Sequence, residues 1–152
     1  MMKMKHFLLA LSLSAMTLAP SYAKEETSLK DGNNLVAEIA SKITNIDTKS
    51  LQKEIDSNPD LVLVDIRTFG EIRSMGGAID APQNVNIPRG WLEFRIKRHA
   101  ENKDTPIVVY CGGNIRSPLA AHTLTQLGYT NVKNYADGYL GWKKQGLPVA
   151  KP

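Results

Sequence analysis

Apolar positions along the 152-residue chain follow two alternating rhythms. From Asn34, the residues Leu35, Val36, Ile39, Ala40 and Ile43 recur at the spacing of one helix face, which predicts a helix over 34–44. Ile46 marks a short edge strand. Leu51 and Ile55 share a face of a second helix, which Asn58-Pro59 ends, because proline disfavours helical backbone in the residue before it. The rhythm then changes to nearly unbroken apolar runs, Leu61-Val62-Leu63-Val64-Asp65-Ile66 and Ile107-Val108-Val109-Tyr110. Such runs suit parallel strands covered on both faces. Pro106 opens the second run, where a missing N–H is tolerated. The glycine- and proline-bearing stretch 68–90 predicts a long connection, with a short helix near Glu71 and a short strand at 85–87. Trp91–Ile96 reads as a helix. Another runs from Ser117 to Leu127, with Ser117 as N-cap, Pro118 at the first helical position and Gly128 just past the end. A strand at 132–135 and a helix over 139–144, stopped by Gly146, complete the pattern. Alternating strands and helices predict an α/β, three-layer fold with a central parallel sheet and helices on both faces.

The N-terminus changes the picture of where the chain works. Lys3 and Lys5 precede an apolar run from Phe7 to about Leu18, followed by Pro20-Ser21-Tyr22-Ala23 with small residues at the cleavage positions. This is the pattern of a secretory signal peptide over 1–23, cleaved after Ala23. The run is too short for the roughly 20 residues of a spanning helix, so no membrane anchor is expected after cleavage. Residues 24–33 are polar and expected to be flexible, and 34–152 form one domain with an N-terminal helix. An exported protein is the expectation, periplasmic if the source is a Gram-negative bacterium. Cleavage reduces 19 basic residues to 17 against 15 acidic ones, a balance too mild to point to nucleic acid.

The chain has one cysteine, Cys111, which excludes an intramolecular disulfide and a multi-cysteine metal site. No metal or cofactor is implied. A thiol kept in an oxidising compartment is either buried or used. Its neighbours favour use. Cys111 follows the second buried strand, at the sheet edge where open α/β folds place ligands. Gly112, Gly113 and Asn114 are residue types that accept positive φ, and with Ile115 they lead into the helix at Ser117. A loop of that kind makes a concave nest of N–H donors. Arg116 adds a cation expected to lower the thiol pKa and to hold an oxyanion. His99 and His122 read as surface residues.

These residues resemble the single-domain rhodaneses, the thiosulfate sulfurtransferases and their relatives. The resemblance spans about residues 45–150. It rests on Leu63-Val64-Asp65-Ile66-Arg67 with Glu71 following, on Val85-Asn86-Ile87-Pro88, on Cys111 to Ser117, and on Asp137-Gly138-Tyr139-Leu140-Gly141-Trp142 through Pro148. It implies a Cys111 persulfide, formed from a sulfane donor such as thiosulfate and discharged to cyanide or a thiol. It also implies a structural Asp65–Arg67 pair, and Arg89 as a second anion contact near the pocket mouth. Partners would be small-molecule donors and acceptors, with a protein acceptor left open. This chain departs from the family at Asn114, where the loop usually has glycine, and at Asp137-Gly138, which replaces Gly-Gly.

Two rivals remain. Cysteine phosphatases and arsenate reductases use a similar cradle, but their loop places five residues between cysteine and arginine, where Gly112 to Ile115 number four. A non-catalytic rhodanese-like binding module would typically lose the cysteine or the loop glycines, and both are present.

Overall fold

The computed structural model describes residues 29–152. The expected signal peptide, and the polar segment as far as residue 28, lie outside the described residues. The elements in order are α1 (Gly32–Ile39), β1 (Thr44–Ile46), α2 (Thr48–Ser57), β2 (Val62–Asp65), α3 (Phe69–Met75), β3 (Ala78–Ile79), β4 (Asn84–Asn86), α4 (Leu92–Arg95), β5 (Ile107–Tyr110), α5 (Ser117–Gln126), β6 (Val132–Tyr135), α6 (Gly138–Lys144) and β7 (Val149–Ala150). The sheet order is β1-β6-β5-β2-β4, and every pairing in it is parallel.

Strand alternation divides the core into two layers. Val62, Val64, Ile107 and Val109 point to one face, where they meet Leu92 and Ile96 from the α4 region and Ala120, Ala121 and Leu124 of α5. Leu63, Val108 and Tyr110 point to the other, against Leu51 of α2 and Tyr139 and Trp142 of α6. All four residues of β2 and of β5 are buried, as their apolar runs predict for interior strands. From β2 the chain crosses to β4 on one side, and from β5 it crosses to β6 on the other. A crevice opens where such crossings diverge, at the carboxyl ends of β2 and β5.

Two features differ from the sequence expectation. The first helix begins at Gly32, inside the segment expected to be flexible, because Asp31 and Asn34 form a reciprocal cap with both N–H···O bonds at 3.0 Å. A cap of polar residues gives no apolar periodicity. The antiparallel ribbon of β3 and β7 has no counterpart in the sequence reading, since strands of two residues are too short to show alternation.

Candidate active site at the loop after β5

Cys111 ends the β5 run with its side chain on the α5 face, buried among Val109, Ala120 and Ala121. Its Sγ lies 3.5 Å from Ser117 Oγ. Burial pushes the thiol pKa up, because the charged form loses water. The Ser117 hydroxyl and the backbone N–H groups of Arg116, Ser117 and Gly113 push it down by more, so the net shift is downward. This convergence of donors on one sulfur is the nest that the loop composition predicts.

The donors differ in detail from those anticipated. Ser117 is not the N-cap; Arg116 holds that position and makes no side-chain capping bond. That leaves the Ser117 hydroxyl for Cys111, and the residue is fully buried. The guanidinium of Arg116 is paired with Glu71 at 2.5 and 3.2 Å, and its charge still favours the Cys111 thiolate, with the Ser117 hydroxyl and the backbone N–H groups the larger contributors. Gly112 and Gly113 are not left-handed. Only Asn114 in the loop has positive φ, at 61°, and it is the sole such non-glycine residue among the described ones. At Gly112 the constraint is space: a Cβ there would lie 3.0 Å from Met75 Cε. Gly113 and Ile115 face solvent at the rim.

Glu71 reaches the loop through local sequence. Thr68 and Glu71 form a capping box at the start of α3, with the Thr68 N–H donating to Glu71 Oε2 at 3.0 Å. The carboxylate is thereby fixed where it meets Arg116. The bond from Arg116, with the Thr68 N–H next in weight, holds the Glu71 pKa down to about 2. Both partners are therefore charged at neutral pH, and the pair is close to neutral as a unit.

Asp65 and Arg67 form the buried pair that the resemblance implies. Arg67 donates to Asp65 at 2.5 to 3.1 Å and to Gly77 O at 3.0 Å, and both side chains are fully buried. The guanidinium also stacks 4.0 Å from the centre of the Tyr139 ring. Arg89 is not brought to the loop by any hydrogen bond. It donates to Glu93 at 2.7 Å and to Thr123 Oγ1 at 3.0 Å, along the flank of α5.

The α6 segment braces the loop from the opposite face. Tyr139 N–H donates to Cys111 O at 2.9 Å and Leu140 N–H to Gly112 O at 3.0 Å. Because both carbonyls are held toward α6, the loop's N–H groups are free to face Sγ. Gly138 makes the approach possible: its φ is 62°, and a Cβ would sit 2.7 Å from Gly112 O. Asp137, one of the departures from the family pattern, has its own work. Its Oδ2 accepts from the N–H and hydroxyl of Thr48 at 2.9 and 2.7 Å, tying the starts of α2 and α6 together.

Fold and site together define an α/β protein with a cysteine in an amide-lined loop at the carboxyl edge of a parallel sheet. Residues 47–145 match the model of the rhodanese-like domain. The chain is 34% identical over 110 residues to a sulfurtransferase of Allochromatium vinosum, covering 72% of this chain and 97% of that one. Among solved structures, a polysulfide-sulfur transferase homodimer from Wolinella succinogenes superposes with a TM-score of 0.68 at 28% identity, covering 78% of this chain and 85% of that one. A protein of unknown function from Rhodopseudomonas palustris, described as a possible tyrosine phosphatase, gives a TM-score of 0.71 at 30% identity, covering 82% and 98%. The chain belongs to the rhodanese-like domain family, and its relatives include sulfurtransferases.

Proposed function

We propose that this protein is a sulfurtransferase that carries sulfane sulfur as a persulfide on Cys111. The observation that carries the reading is the set of donors around Sγ: the Ser117 hydroxyl and the N–H groups of Gly113, Arg116 and Ser117. They stabilise the thiolate, which is the nucleophilic form. With thiosulfate as donor, the thiolate attacks the outer sulfur and a new S–S bond forms. The old S–S bond breaks, and sulfite departs with its electron pair. The outer sulfur of the persulfide then passes to cyanide or a thiolate, giving thiocyanate or a new persulfide and restoring the Cys111 thiolate. The same amides serve both states, because the negative charge stays on sulfur within the nest. A polysulfide donor fits the same chemistry, and the Wolinella relative is named for it.

The wall of the loop supports a sulfane donor over a phosphate ester. Four residues separate Cys111 from Arg116, one fewer than in the phosphatase loop, and the smaller ring of amides suits a single sulfur atom better than a tetrahedral phosphate. The retained cysteine and its donors likewise favour an enzyme over a binding module. We also propose that the signal peptide over 1–23 exports the protein, to the periplasm if the source is a Gram-negative bacterium; the mature N-terminus of the exported protein checks this.

Incubation with thiosulfate should add one sulfur atom to the intact mature protein by mass spectrometry. Cys111→Ser should lose both the adduct and thiosulfate:cyanide transfer, by at least about a thousandfold as expected for a missing nucleophile. Full transfer by that variant sinks the reading. Phosphate release from an aryl phosphate without sulfur loading moves it to the phosphatase chemistry.

A further inference from the structure

A row of three asparagines crosses the sheet toward the loop. Asn45 on β1 pairs laterally with Asn134 on β6, which pairs with Val109 on β5, two residues before Cys111. The Asn134 side chain is fully buried on the α5 side. Its Nδ2 lies 2.7 Å from Asn45 Oδ1 and 2.8 Å from Asn114 Oδ1. Its Oδ1 is buried without a partner among the described residues. Its Nδ2 therefore donates to both neighbours and links the edge strand to the loop. A buried polar atom left unpaired is costly, so stability alone is a poor reason for an amide in this apolar layer.

We infer that Asn134 is a positioning residue, which holds Asn114 in the left-handed conformation and so aims the loop's N–H groups at Cys111. Asn114 occupies a loop position whose φ of 61° is easy for glycine, and which asparagine takes up more readily than most residues when its side chain is hydrogen-bonded. The bridge to Asn134 supplies what a glycine would not need. Peptide planes on either side of a left-handed residue turn inward, and the Gly113, Arg116 and Ser117 N–H groups flank that turn. Asn45 acts one step further out, by fixing the Asn134 amide from the edge strand. The inference rests on Cys111 being the reacting group, but not on sulfur being what it carries.

The experiment is a mutant cycle read on Cys111 alkylation by iodoacetamide at neutral pH, which needs no sulfur donor. Asn134→Ala should slow alkylation about tenfold, on the scale of losing part of one oriented donor set. Asn114→Gly should remove the dependence: the pair Asn114→Gly/Asn134→Ala should alkylate within about twofold of Asn114→Gly alone, the failure of additivity expected of residues acting through one another. The same cycle with Asn45→Ala, an exposed edge position, should show a smaller loss that Asn114→Gly also cancels; it stands as the test if the buried substitution unfolds the protein. Where thiosulfate:cyanide transfer is active, kcat should follow alkylation while KM changes little. Equal losses with and without the Asn114→Gly substitution overturn the inference, as does unchanged alkylation in both Asn134→Ala and Asn45→Ala. Failure of sulfur transfer with the cycle intact would count against the proposed function and not against this positioning role.

Discussion

Asp65–Arg67 and Glu71–Arg116 are both arginine–carboxylate pairs beside the crevice at the ends of β2 and β5, but they differ in setting. The first has both side chains fully buried, while in the second the arginine is 40% and the glutamate 30% exposed. Burial makes the first pair a fixed strut. Its guanidinium reaches Asp65, Gly77 O and the Tyr139 ring at once, so it joins β2, the turn before β3 and α6. Exposure makes the second pair an adjustable wall. Its carboxylate is placed by the α3 capping box, and water can compete for either partner. One bond type therefore serves the frame in one place and the site's charge in another.

Removing Arg67 tests the strut and should have the largest effect. Arg67→Met leaves Asp65 buried without a counter-charge, a loss of about 3–5 kcal/mol in urea unfolding. Replacing both partners with apolar residues should recover much of it; a loss under about 1 kcal/mol in the single variant would show that the strut is not needed. Glu71→Gln tests the wall. Glutamine keeps the capping box, so stability should change by less than about 1 kcal/mol. The freed Arg116 should lower KM for thiosulfate roughly threefold or more, about the worth of one added charge-assisted contact near the surface. An unchanged KM would remove Arg116 from the site's electrostatics.

The contrast also has a pH signature. The folded Glu71 pKa of about 2 lies below its ordinary value of 4.5, so the pair's contribution is complete above that value and declines as pH falls through about 2. The loop's amide resonances should hold steady from neutral pH to about 4.5 and shift only in stronger acid. A midpoint near 4.5 would mean that the pair is not formed in solution. The smallest effect is expected at Arg89, a partly exposed pair with no bond to the loop. Arg89→Ala should cost under about 1 kcal/mol and leave kcat/KM for thiosulfate unchanged; a raised KM would restore the anion contact that the family resemblance implies for it.

Legibility in the sequence follows the range of the interaction. β2 and β5 are readable because burial on both faces writes itself into consecutive residues. The position of Cys111 follows from β5, and that of α5 from Pro118 and Gly128. The source of thiol activation is not readable at the level of single residues. Arg116 is the conspicuous cation next to the loop, yet its guanidinium is paired with Glu71, which is 45 positions away. The only local hint is the Thr68–Glu71 spacing of a capping box. Ser117 reads as a helix cap because serine usually is one; its turn toward sulfur depends on the loop backbone. Asn134 gives no signal, since a lone asparagine in a short strand carries no periodicity that distinguishes it from an exposed one.

The bonds from Tyr139 and Leu140 to the carbonyls of Cys111 and Gly112 have a kinetic consequence. They close contacts across 28 residues, from the last of the described helices back to the loop. In a chain where β5 and α5 form before α6 docks, the loop carbonyls are unbraced and the N–H groups around Sγ are less firmly aimed. Full activation of the only thiol in the chain therefore depends on the docking of α6. The rate at which Cys111 becomes quickly alkylated during refolding is accordingly a clock for the docking of α6.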